Sequence, residues 1–213
     1  MERRDLRPLY RSRMVVAVGG PPHSGKSVFL AELYRQLLAK APTRNFVFLQ
    51  RMCPDGEGVW SGESSPEVVK EIRRKGKFAA GFLERHLPLL VGPALVGSFR
   101  ILLADLGGVR SAENAEILRH STHCVVLSSK ESEDQPWVEF TGGEGCKPLA
   151  ILRSRLFERA PGVLDTTKST PDQDWSGDVP LCRELWQLDR HGPPELYRGA
   201  VSQFADWLIA KQG

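Results

Sequence analysis

The sequence predicts an α/β fold with a mostly parallel sheet and helices on both of its faces. The segments Met14–Val18, Arg100–Ala104 and Thr122–Leu127 are apolar runs of strand length, as buried strands require. Segments with helical spacing of their apolar residues lie between such runs, and this alternation is typical of parallel sheets. The chain has 213 residues, which suits a single domain over residues 1–213 with a core of its own.

The remaining elements follow from periodicity and from residues that start or stop helices. The predicted strands are Met14–Val18, Phe46–Leu49, Arg100–Ala104, Thr122–Leu127, Leu149–Leu152 and an edge strand Leu185–Leu188. The predicted helices are Val28–Ala39, Pro66–Arg74, Phe78–Leu87, Ser111–His120 and Glu195–Ala210. Pro88 is expected to stop the third helix, and Ser111 to cap the fourth. Residues 160–180 are rich in Pro, Gly, Asp, Ser and Thr, which predicts a long loop or lid.

Composition and charge argue against several classes of protein. The net charge of +3 is too small to indicate a nucleic-acid coat or a membrane surface. Cys53, Cys124, Cys146 and Cys182 show no C-x-x-C spacing, so we expect reduced thiols, with Cys124 buried. No apolar run reaches the length of a membrane span, and we expect a cytoplasmic protein without membrane contact. Residues 1–13 hold five arginines, which predicts a solvated basic arm, with contact to a polyanion as the alternative.

The segment Gly20–Ser27 matches the pattern G-x-x-x-x-G-K-[ST], between a predicted strand and a predicted helix. Such a loop turns its backbone N–H groups inward around phosphate, and the following helix adds its positive end. Lys26 is expected to reach the β- and γ-phosphates, and Ser27 to give its hydroxyl to Mg²⁺. The sequence therefore predicts a P-loop NTPase that binds ATP. Its predicted nucleotide-binding residues are Gly20, Pro21, Pro22, His23, Ser24, Gly25, Lys26, Ser27 and Val28.

Asp105 is the predicted second magnesium residue. It ends the apolar run Ile101–Asp105, and ligands bind at the carboxyl edge of such sheets. Gly107 and Gly108 follow, and they let the backbone turn close to the γ-phosphate. In the alternative interpretation, the acid only shapes the turn before the next helix.

The segment Cys53–Trp60 follows the second predicted strand and should open on the same edge. Asp55 is the predicted general base for a substrate hydroxyl, with Glu57 as the alternative, and Trp60 could stack on a planar ring. In the alternative, purely structural interpretation, Asp55 and Gly56 form a turn and Trp60 is a core residue.

Four further groups of residues leave two interpretations open. The basic cluster Arg73, Arg74, Lys75 and Lys77 either neutralises phosphate or ends a solvated helix. Arg110 is either an arginine finger or a solvated residue. His23 either contacts phosphate or faces solvent. His120 and His123 are expected to be structural rather than a metal pair. The sequence has no N-K-x-D signature for guanine, which weakens a GTPase interpretation.

Five stretches resemble the P-loop domain found fused behind a CRISPR-associated ring nuclease: GGPPHSGKSVF, CPDGEGVW, RRKGKF, LLADLGGV and ENAEILR. The resemblance covers Val15–Leu152. It implies Gly25, Lys26 and Ser27 as phosphate and magnesium residues and Asp105 as the second acid. It also implies a link to cyclic oligoadenylates or to a ring-nuclease partner. Only 13 residues precede the first predicted strand, so we expect a split gene, a fragment or a stand-alone relative.

Two functions are consistent with these patterns. In the first, the chain is an ATPase or kinase-like phosphotransferase that uses ATP and Mg²⁺, with Asp55, Lys26 and Asp105 as catalytic residues. In the second, it is a nucleotide-dependent regulatory switch that binds a partner protein or a cyclic oligonucleotide and catalyses little. The sequence does not identify the acceptor, the base preference or the oligomeric state, and a homo-oligomer is among the partners considered.

Overall fold

A computed structural model describes residues 7–10, 13–41, 46–53, 81–97 and 99–212 of the chain. The strands are β1 Met14–Gly19, β2 Val47–Arg51, β3 Ile101–Asp105, β4 His123–Ser128, β5 Lys147–Arg155, β6 Glu158–Ala160, β7 Val163–Leu164 and β8 Leu181–Trp186. The helices are α1 Lys26–Lys40, α2 Phe82–Val96, α3 Ala112–Arg119, α4 Glu131–Gly143 and α5 Glu195–Gln212, with a 3₁₀ turn at Arg7–Leu9. The predicted helix Pro66–Arg74 lies outside the described residues.

Six strands form one sheet in the order β2-β3-β1-β4-β5-β8, and every neighbouring pair is parallel. The strands β1 and β3 are buried along their whole length, as expected for apolar strands covered on both faces. The short strands β6 and β7 form a separate antiparallel pair. The predicted α/β architecture with a parallel sheet is therefore confirmed.

The sheet separates two apolar clusters, and alternate residues of β1 and of β3 belong to different clusters. Val16 and Val18 of β1 join the cluster that contains α1 and α5, where Phe29 and Phe204 lie 5.7 Å apart between ring centroids. Val15 and Ala17 face the other cluster, to which α2, α3 and α4 contribute. Helices therefore cover both faces, as predicted.

The prediction that Pro88 stops a helix is wrong. Helix α2 continues past Pro88 and Pro93 to Val96. A proline inside a helix removes a backbone hydrogen bond, yet burial outweighs this cost here. Leu90 and Ala94 are fully buried against the sheet, and the helix must extend that far to place them there.

Two arginines of the N-terminal arm bind the ends of helices. The Arg7 guanidinium donates to the carbonyl oxygen of Glu144, the residue that caps the C-terminus of α4, at 2.9 Å. Arg13 donates to carbonyls at the C-terminus of α2, including that of Ala94 at 2.8 Å. Cations are favoured at helix C-termini because unpaired carbonyls give that end a partial negative charge. The expectation of a solvated arm is therefore wrong for these residues.

The predicted loop at 160–180 is largely irregular, with β7 at its start, and it packs along the edge strand β8. The Gln173 side chain donates to the backbone oxygen of Glu184 at 2.6 Å and accepts from its N–H at 3.0 Å. The hydroxyl of Thr170 makes the same pair of bonds with Trp186, at 3.2 and 2.8 Å. Trp175 is buried against Phe204 of α5. These contacts give residues 165–180 a structural role along the edge strand.

Within the described part of the chain, no helix combines the length and the apolar character needed to cross a membrane.

Candidate functional site

The segment Gly20–Ser27, here called the glycine loop, joins the end of β1 to the start of α1. Gly20 has φ 146° and Gly25 has φ 80°, conformations that side chains rarely adopt. A Cβ on Gly20 would stand 1.8 Å from the backbone oxygen of Leu127, so only glycine fits there. His23 also has a positive φ, 60°, and its side chain is exposed. The loop therefore depends on its glycines at the positions that the motif specifies.

Positive charge is concentrated at the N-terminus of α1. The residue before it, Gly25, has no side chain to cap the helix, and no acid lies in the first turn. The first N–H groups of a helix have no partner within the helix and carry a partial positive charge. Lys26 adds a full positive charge at the same place. The other described helices place an acid in the first turn.

The ammonium of Lys26 lies folded across the glycine loop. It donates to the carbonyl oxygen of Pro21 at 2.7 Å and lies 3.4 Å from the Ser24 hydroxyl, which is buried. An anion in the loop would compete for the same ammonium protons. The side chain is thus held close to the site that the motif predicts for phosphate.

The glycine loop opens into a cleft of about 600 Å³, here called the glycine-loop cleft. The predicted residues that line it are Pro22, His23, Ser24, Gly25, Lys26, Ser27, Val28 and Asp105. Gly20 and Pro21 belong to the same loop but do not line the cleft. Ser27 and Asp105 come to the same cleft because β1 and β3 are neighbours, with Val18 opposite Asp105.

Two further segments complete the walls of this cleft. Cys53, directly after β2, lines the cleft, so the chain after β2 starts at the predicted edge. Asp55, Glu57, Trp60 and the basic cluster at 73–77 lie outside the described residues. Leu156 and the segment 188–191 after β8 also line the cleft. This part of the wall was not predicted from the sequence. A strand β8 parallel to its neighbours places the loop that follows it at the same edge of the sheet as the glycine loop.

The turn after β3 lies against the glycine loop. A Cβ on Gly108 would stand 3.0 Å from the backbone nitrogen of Pro22, and one on Gly25 would stand 2.8 Å from Leu188. The loop is therefore enclosed between the turn after β3 and the segment after β8. A second cleft, of about 580 Å³, adjoins it and shares Pro22, His23, Gly108 and Val109.

Arg110 lines the second cleft and not the glycine-loop cleft. Its guanidinium bonds Glu133 at 2.7 Å and lies 5.9 Å from the centre of the Trp137 ring. An arginine finger would have to leave both contacts. Arg110 therefore lies next to the glycine loop, but its guanidinium contacts Glu133 and Trp137 rather than the loop.

The histidines and cysteines of the described chain do not form a metal site. No group of three or more His, Cys, Asp or Glu side chains comes together in the described residues. His123 bonds the Thr122 hydroxyl, and burial lowers the pKa of this imidazole. Cys124 is buried as predicted, and burial raises the pKa of its thiol to about 11, so the thiol is unreactive at neutral pH.

No model of a known protein family matches the chain, and no curated protein matches it at a significant level.

Proposed function

We propose that the chain is a P-loop NTPase that binds ATP with Mg²⁺ and acts as an ATPase or kinase-like phosphotransferase. The observation that carries the proposal is the placement of G-P-P-H-S-G-K-S between a buried parallel strand and an uncapped helix. This strand–loop–helix context is what the motif needs in order to bind phosphate. Asp105 at the end of the neighbouring strand supplies the carboxylate that phosphoryl transfer uses to hold magnesium.

The oxygen donors at this site suit magnesium. The Ser27 hydroxyl and the Asp105 carboxylate line one cleft, and Asp105 is 7% exposed. Mg²⁺ is commonly held by one or two protein oxygens together with substrate phosphates rather than by a cage of protein ligands. When bound, the ion would neutralise charge on the phosphate oxygens.

Different residues of the cleft are assigned to different parts of the nucleotide. Backbone N–H groups of the glycine loop and the start of α1 bind the phosphates, and Lys26 places its charge on the β- and γ-phosphates. The terminal phosphate is assigned to the part of the cleft beside Asp105 and Gly108. The base and sugar are assigned to the wall formed by Leu156 and the segment 188–191, which offers two leucine side chains beside polar ones. Asp55 is proposed to take the acceptor proton, since the chain after β2 begins at this cleft.

The test is calorimetric titration of the protein with Mg²⁺ and ATP, GTP or cyclic oligoadenylates, followed by product analysis by mass spectrometry. Lys26→Ala should abolish triphosphate binding, because it removes the charge at the phosphates. Lys40→Ala is the matched control, since it removes the same charge at the far end of α1, where Lys40 pairs with Asp206 at 2.5 Å. Equal ATP binding by the wild type and Lys26→Ala would refute the proposal.

The resemblance supports a more specific proposal, that the site serves cyclic-oligoadenylate signalling in a type III CRISPR system. Tight binding of a cyclic oligoadenylate, or a change in ATP turnover in its presence, is the expected result. An acceptor-dependent rise in ADP release would assign a phosphotransferase. ADP release that responds to a partner but not to small acceptors would assign a regulatory switch instead.

A further inference from the structure

Asn114, in the first turn of α3, holds the turn that follows β3. Its side-chain nitrogen donates to the carbonyl oxygens of Gly107 at 3.2 Å and Val109 at 2.7 Å. Its side-chain oxygen accepts from the backbone N–H of Gly107 at 3.3 Å. The residue is 1% exposed, and its two bonds with Gly107 are buried, whereas the bond to Val109 is partly buried. Both the donor and the acceptor end of the amide therefore act on this one turn.

The turn is also the wall of the glycine-loop cleft that contacts the loop itself. Gly108 approaches Pro22 so closely that a Cβ would have to displace the loop backbone. Gly108 and Val109 line the cleft together with Asp105. Because Asn114 fixes the carbonyls on both sides of Gly108, it sets the position of this residue relative to the glycine loop.

The position of the turn matters for one part of the proposed nucleotide. The turn directly follows Asp105, the proposed magnesium residue, and the magnesium ion would be shared with the terminal phosphate, so the turn lies where that phosphate is proposed to bind. A diphosphate lacks the phosphate that would reach the turn. Movement of the turn should thus change the binding of a triphosphate and leave the binding of a diphosphate almost unchanged.

We infer that Asn114 is a positioning residue that gives the site its preference for a nucleoside triphosphate over a diphosphate. The inference rests on the proposed function. Asn114 does not touch the nucleotide and acts through the backbone of Gly107 and Gly108. Its loss removes the Asn114 donor from the buried carbonyl oxygen of Gly107, whereas the Val109 carbonyl still accepts from the Ser111 N–H at 2.9 Å, and the turn relaxes to satisfy Gly107.

The experiment compares two dissociation constants in three proteins: wild type, Asn114→Ala and Ser111→Ala. The ligands are ADP and the β,γ-imido analogue of ATP, each with Mg²⁺, so that hydrolysis does not interfere. Ser111→Ala is the matched control, because the Ser111 hydroxyl caps the same helix by accepting from the backbone N–H of Asn114 at 3.3 Å. We expect Asn114→Ala to weaken binding of the triphosphate analogue about tenfold, which is the scale of one hydrogen bond to a charged group. Binding of ADP should weaken less than about twofold. Ser111→Ala should leave the ratio of the two constants unchanged.

Each other outcome has a defined meaning. An unchanged ratio in Asn114→Ala, or an equal loss for both nucleotides, would overturn the inference and leave Asn114 as a residue that stabilises α3. If Asn114→Ala does not fold, Asn114→Ser keeps a hydroxyl donor, and an intermediate ratio is expected, whereas the wild-type ratio would overturn the inference. A wild type that binds neither nucleotide would refute the proposed function itself.

Discussion

Gly20→Ala should destabilise the protein strongly, whatever the protein binds. Gly20 has φ 146°, and its Cβ would lie 1.8 Å from the carbonyl oxygen of Leu127. Real Cβ contacts essentially never fall below 3.0 Å, so the glycine loop or β4 has to move. Leu127 belongs to a central strand whose neighbours β1 and β5 hold it on both sides, so β4 resists that movement.

The size of the effect follows from two contributions. A residue held in a rarely populated backbone conformation costs about 1–3 kcal/mol, and overpacking costs a further 1–3 kcal/mol or so, which gives about 2–6 kcal/mol. In a chain of this size, each kcal/mol lowers the Tm by about 2–4 °C. Urea unfolding and thermal melts of the two proteins, followed by circular dichroism, measure the change.

Gly199→Ala is the control with the opposite sign. Gly199 lies inside α5, and a Cβ there would meet nothing within 4 Å. Alanine in a helix interior is more stable than glycine by about 0.5–1 kcal/mol, so this variant should gain stability. Ordinary surface variants change the free energy of unfolding by no more than about 0.5 kcal/mol. If Gly20→Ala changed it by no more than that, the backbone geometry described for the glycine loop would be wrong.

Three further predictions concern charged groups. Asp105→Asn should change the free energy of unfolding by less than about 1 kcal/mol but lower Mg²⁺-dependent ATP turnover at least about a hundredfold. Full activity of this variant would exclude a magnesium role for Asp105. Asp55→Asn should slow phosphoryl transfer about a hundredfold with unchanged ATP affinity, and a normal transfer rate would exclude a general base. Burial raises the pKa of Glu32, but hydrogen bonds from Arg35 and Gln36 outweigh it and hold the pKa below its usual 4.5. Glu32 therefore adds stability above about pH 4.5 that is lost as the pH falls through the lower folded-state pKa, and Glu32→Gln should flatten this acid limb in urea titrations.

Much of the fold could be predicted because each local pattern agrees with its tertiary surroundings. Strands β1, β3 and β4 carry apolar residues on both faces, so their burial does not depend on register. Ser111 caps α3 as predicted. Helix α2 could not be bounded from sequence, because burial of Leu90 and Ala94 outweighs the local effect of Pro88. Helix α4 was not predicted, since its charged first turn and its internal proline hide its amphipathic pattern.

The candidate site, too, could be predicted only in part from the sequence. The glycine loop and Asp105 are contiguous in sequence with the strands that position them, so the motif was enough to bring them to one edge. The role of Asn114 could not be seen from the sequence, because its partners are backbone atoms of a turn rather than side chains. The wall at Leu188 depends on the direction of β8, which only the assembled sheet determines.

The side chains along β8 determine how this sheet ends. An edge strand with unpaired backbone groups is a template on which another chain can add a strand, and this is a common route to aggregation. At Glu184 and Trp186, Gln173 and Thr170 already occupy the backbone donors and acceptors that a new strand would need. A foreign strand would have to displace both side chains and the segment anchored by Trp175. On this side, the sheet is thus protected against self-association by its own loop.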